Sequence, residues 1–78
     1  MNKQNEGDTF AVRMLRAKSA ECLTTAELAR ESGVSLGALR DYIDGRKHNP
    51  KMTTLVRLSK SLRVSVDYLC GLEDKSNG

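Results

Sequence analysis

Residues 23–45, LTTAELARESGVSLGALRDYIDG, decide the fold. Thr24-Thr25-Ala26-Glu27 has the form of a capping box, in which the Thr24 hydroxyl accepts from the Glu27 backbone N–H and the Glu27 carboxylate reaches back, so a helix starts here. Gly33 stops it, because a residue without a Cβ takes up the left-handed conformation that ends a helix abruptly. Two residues later Ser35 is a good N-cap for another helix, running through Leu36, Leu39, Tyr42 and Ile43 to Gly45. Two short helices joined this tightly must cross steeply.

The pattern extends in both directions from this pair. Towards the N-terminus, Phe10, Met14 and Ala17 recur at helical spacing while Arg13, Arg16 and Lys18 fall elsewhere, which predicts an amphipathic helix over about residues 8–20 with Asp8 as its cap. Before it, MNKQNEG (residues 1–7) is polar, ends in glycine and is expected to be a disordered lead-in. Towards the C-terminus, RKHN (residues 46–49) is a polar, mostly basic loop, and Pro50 pushes Asn49 into an extended conformation ahead of a new helix. Met52, Leu55, Leu58 or Ser59, and Leu62 recur along that helix, which should end near Arg63. Ser65 then caps a last short helix carrying Val66, Tyr68 and Leu69, and Gly71 closes it. The expected architecture is an all-α, compact bundle of five short helices forming one domain over residues 8–72, followed by a fraying tail, EDKSNG, at 73–78.

Composition narrows the function. A chain of 78 residues has room for one core, and with only Phe10, Tyr42 and Tyr68 as aromatics that core must come from Leu, Val, Ile, Met and Ala. The net charge of +3 decides little, but its distribution is uneven. Positive and negative side chains balance up to Val34, whereas Arg40 to Arg63 sets seven basic residues against Asp41 and Asp44 before the chain turns acidic at Asp67, Glu73 and Asp74. That is the layout of a chain with one surface for a polyanion. Cys22 and Cys70 stand far apart, neither in a Cys-x-x-Cys pair nor near His48, so no zinc site is expected. With no signal peptide, the expected compartment is the reducing cytoplasm, with both thiols as small buried apolar groups. No apolar run approaches the roughly 20 residues of a membrane span. One histidine, no metal-ligand spacing and no glycine-rich phosphate loop leave nothing to assemble an enzyme site, and no cofactor or small-molecule ligand is expected.

Residues 23–69, LTTAELARESGVSLGALRDYIDGRKHNPKMTTLVRLSKSLRVSVDYL, resemble the lambda-repressor and Cro-like (XRE-type) helix-turn-helix family. The resemblance rests on Ala29, where the first helix of the pair must admit the second; Gly33 at the turn; and Val34, Leu39 and Tyr42 behind the second helix. It rests equally on Asn49-Pro50, Thr54-Leu55 and Val64-Ser65-Val66-Asp67. It implies that the helix after Ser35 lies in a DNA major groove, with Leu36, Gly37, Arg40 and Asp41 at the family's base-reading positions. The Arg40 guanidinium can donate twice to O6 and N7 of guanine; its other roles would be a phosphate contact or a pair with Asp44. Leu36 could press on a thymine methyl, and Gly37 could let the backbone approach DNA or simply be tolerated. Asp41 could accept from cytosine N4, but a solvated or Arg-paired carboxylate is the simpler expectation. The chain departs from the pattern at Thr25, where many relatives have glutamine, and in lacking Gln or Asn on the reading helix.

Phosphate contacts are expected from Arg46, Lys47, His48 and Asn49, with Thr25 and Arg13 secondary, against the alternative of a solvated loop. Val64, Val66, Leu69 and Leu72 exceed what one short helix needs for docking and suggest a homodimer on an inverted-repeat DNA operator. A chain of this length leaves no room for a sensory domain, so the expected function is a transcriptional regulator, a repressor acting by operator occupancy. The alternative is a protein-interaction module, of antitoxin or anti-repressor type, built on the same scaffold.

Overall fold

Hydroxyl groups begin four of the five helices of the computed structural model, which describes residues 9–72. In chain order these are α1 (Phe10–Ala20), α2 (Thr25–Ser32), α3 (Leu36–Ile43), α4 (Met52–Leu62) and α5 (Val66–Leu69). The capping box is complete: the Glu27 N–H donates to Thr24 Oγ1 at 3.0 Å, and the Thr24 N–H donates to Glu27 Oε1 at 2.8 Å. Those bonds, the Thr24 amide first, hold the Glu27 carboxyl below its ordinary value. The cap is therefore fully formed at neutral pH and weakens as acid titrates Glu27 through that lowered value. Thr24→Ala removes the acceptor and should cost about 1 kcal/mol, read as a lower denaturation midpoint with an unchanged denaturant slope.

At α1 the cap is Thr9, whose Oγ1 accepts from the Val12 N–H at 3.3 Å. The helix thus begins later than the spacing implied, and the expected cap, Asp8, lies outside the described residues, as do the expected lead-in 1–7 and tail 73–78. Gly33 ends α2 at φ +78°, and Arg63 ends α4 in the same left-handed region at φ +61°. The turn between α2 and α3 is tied from inside by Ser32, a buried hydroxyl that accepts from the Val34 N–H at 3.1 Å.

Met14, Leu28, Leu39, Leu58, Leu62 and Leu69 are fully buried, so every described helix sends at least one side chain into a shared core. Leu58 takes the core position that helical spacing left open between it and Ser59. Phe10 meets Tyr42 edge to face, with ring centroids 5.2 Å apart, and clamps the start of α1 to α3. Behind the α2–α3 pair stand α4, against α2, and α1, against α3. One face of α3 is therefore packed and the other is open.

Four expectations are corrected here. Met52, at the first position of α4, is 63% exposed and contributes nothing to the core. Both thiols are exposed: Cys22 sits in the α1–α2 turn at φ +58°, and Cys70 follows Leu69, which has taken the buried position. Leu69 is completely buried, so it belongs to the protein's own core and not to a surface for a second copy. Arg13, expected at DNA phosphates, is only 4% exposed. Its Nη1 donates to the Tyr68 carbonyl at 3.1 Å, and its guanidinium lies over the Tyr68 ring, 5.0 Å from the centroid. It fastens α1 to α5.

Candidate nucleic-acid interface

Helix periodicity divides α3 in two. Leu39 and Tyr42 are buried on the inner side, while Gly37 and Arg40 are exposed and Leu36 and Asp41 are half-buried at the margin. A Cβ added at Gly37 would meet nothing within 4 Å, so neither packing nor backbone conformation demands glycine there. Its glycine costs the helix about 1 kcal/mol relative to alanine, and its bare backbone leaves this stretch of the face open to close approach.

Asp41 is paired, as the simpler of its two expectations had it. Its Oδ1 accepts from Arg46 Nε at 3.0 Å, and its Oδ2 lies 3.9 Å from Lys47 Nζ. The second carboxylate, Asp44, accepts from Arg46 Nη2 at 3.0 Å, which assigns Asp44 to Arg46 and not to Arg40. Backbone bonds reinforce the arrangement, because the N–H groups of Arg46 and Lys47 both donate to the Asp41 carbonyl, at 2.8 and 3.2 Å. The hydrogen bond that Arg46 donates to Asp41 and the charge of Asp44 raise the pKa of the Arg46 guanidinium above its ordinary value. Arg46 and Lys47 nonetheless keep 64% and 56% of their side-chain surface, and His48 and Asn49 are exposed beside them. Thr25, at the first turn of α2, is half-buried.

Arg40 differs from these neighbours. Among the described residues no hydrogen bond or ion pair engages its side chain, so a planar cation stands uncommitted in the middle of the open face. Sequence reasoning also missed Arg57. From α4 its Nη1 donates to the Gly33 carbonyl at 3.4 Å and braces the α2–α3 turn from outside. No local motif announces a contact between residues 24 positions apart.

Two short helices locked at their turn, with one open face and a basic loop following, define a helix-turn-helix module. The chain belongs to the helix-turn-helix family, whose model matches residues 13–69. It is 36% identical over 59 residues to the cryptic phage CTXphi transcriptional repressor RstR of Vibrio cholerae serotype O1. That match covers 76% of this chain and 52% of the repressor, so the chain spans about half the length of its curated relative. Among solved structures it is similar to the P22 c2 repressor protein, which was crystallised in complex with a synthetic operator. The TM-score is 0.73 at 26% identity, over 83% of this chain and 97% of that one, so the fold is that of lambda-repressor-like domains. Among the described residues no helix is long and apolar enough to cross a membrane.

Proposed function

We propose that this chain is a sequence-specific DNA-binding transcriptional repressor, a binding protein and not an enzyme, that works in the cytoplasm by occupying an operator. The observation that carries this reading is the uncommitted Arg40 on the open face of α3, beside the exposed 46–49 loop, in a fold shared with a repressor crystallised on a synthetic operator. In this reading α3 enters the major groove and Arg40 donates its planar fork to a guanine. Leu36 contacts a thymine methyl, and the bare Gly37 backbone approaches the bases. Lys47, His48, Asn49 and Thr25 hold phosphates, with Arg46 beside them; the burial of Arg13 removes it from that set.

The repressor is proposed to act as a homodimer. The apolar surface for this is smaller than the sequence suggested, since Leu69 is fully buried and Val64 is 9% exposed. What remains is half-buried Val66 and Leu72, which is 76% exposed just beyond α5.

Selection of randomised duplexes with the purified protein, followed by sequencing, tests the reading. The expected result is enrichment of an inverted repeat whose half-sites lie about 34 Å apart or a multiple of that, as a two-fold dimer requires. Enrichment of a single half-site would keep the operator and remove the dimer. Failure to enrich any sequence at low salt would leave the interaction-module alternative.

A further inference from the structure

The most basic loop of the protein is already occupied by two of its own carboxylates. Arg46 donates through Nε to Asp41 and through Nη2 to Asp44, both at 3.0 Å, so its planar fork is satisfied by two oxygens much as it would be by DNA phosphate. Asp41 also lies 3.9 Å from Lys47, and its carbonyl holds the amides of both basic residues. All of these groups are at least partly exposed, so a phosphate can reach them, but it must first displace or share a carboxylate.

We propose that Asp41 and Asp44 are positioning residues that hold the Arg46 fork as an internal substitute for phosphate and thereby restrain the protein's general affinity for DNA without reading sequence. This rests on the operator-binding reading above. Counting basic residues predicts the loop to be the strongest backbone clamp; the ion pairs make it a clamp with one jaw held back. A repressor that must leave random DNA to find an operator gains from such a restraint, because the phosphate contacts are common to every site whereas Arg40 contacts only the right one.

The test compares the wild-type chain with Asp44→Asn, Asp41→Asn, Arg46→Ala and the Asp44→Asn/Arg46→Ala double variant. Each is titrated onto its selected operator and onto a random duplex at several salt concentrations. Asp44→Asn keeps the side-chain shape and removes the charge, so it should tighten binding to both duplexes by about two- to fivefold, the worth of an exposed ion pair. Its plot of log K against log salt should steepen by up to about 0.9, the contribution of one more engaged phosphate. Asp41→Asn should act in the same direction with base preference unchanged. In the Arg46→Ala background the gain from Asp44→Asn should vanish, since it is transmitted through that guanidinium.

A gain that persists without Arg46 would mean simple repulsion between carboxylate and DNA, and would overturn the proposal. So would weaker binding on neutralising either aspartate, which would mean that the pair presents Arg46 to DNA, or a changed base preference in Asp41→Asn. Wild-type protein that binds no duplex would remove the operator reading itself; wild-type binding with unaltered affinity and slope in the variants would remove this inference alone.

Discussion

Arg13→Ala should lower the melting temperature by about 10–20 °C while leaving the salt dependence of DNA binding unchanged. The guanidinium is buried, donates to the Tyr68 carbonyl and covers the Tyr68 ring, so the substitution removes three stabilising contributions together. A hydrogen bond from a charged donor is worth about 1.5–3 kcal/mol. The cation over the ring adds about 0.5–2 kcal/mol, and the packed aliphatic stem is lost as well. The Tyr68 carbonyl keeps the Gly71 N–H at 3.1 Å, so it is not orphaned, and a total near the lower end, about 2–3 kcal/mol, is expected. For a domain of this size each kcal/mol moves the melting temperature by about 4–8 °C. Arg13→Lys should fall between, keeping the charge but not the fork. Measured well below its transition, the alanine variant should bind DNA with the wild-type salt slope. A slope shallower by about 0.9 would return Arg13 to the phosphate contacts that its place on a polar helix face first suggested.

That substitution also marks where the sequence stops being legible. The α2–α3 boundaries could be read because their signals are local: Thr24 with Glu27, Gly33 and Ser35 each act on backbone groups within three or four residues. The α4 core positions Leu55 and Leu62 were readable from periodicity over eleven residues, whereas the spacing left Leu58 and Ser59 as alternatives and wrongly counted the exposed Met52. Arg13 was not, because periodicity assigns it to a face and only the arrival of α5, 55 residues later, decides whether that face is wet. The same limit applies to α5. Four residues span little more than one helical turn, too few for a period to show that Leu69 turns inward while Leu72 remains outside. In the basic loop, charge could be counted but not its pairing, and the Asp41 and Asp44 bonds to Arg46 change what that charge can do. Arg40 was legible in type and position, and the structure adds that nothing among the described residues holds it.

Arg40→Ala should therefore separate specific from general binding more sharply than any other single change on α3. The side chain is exposed, so its removal should move stability by no more than about 0.5 kcal/mol, and alanine favours the helix. On the operator, a bidentate contact to guanine contributes about 1–3 kcal/mol of discrimination, a loss of about five- to 150-fold. On random DNA, where no guanine is aligned with the fork, the loss should be several times smaller. Lys47→Ala supplies the contrast: it should weaken operator and random duplex by similar factors and make the salt slope shallower by about 0.9. Repeating the duplex selection with Arg40→Ala should relax preference at one base pair in each half-site and leave the remaining positions sharp. Equal losses on operator and random DNA would make Arg40 a phosphate contact. Specificity would then fall to Leu36 and the Gly37 backbone, neither of which can donate a side-chain hydrogen bond to a base.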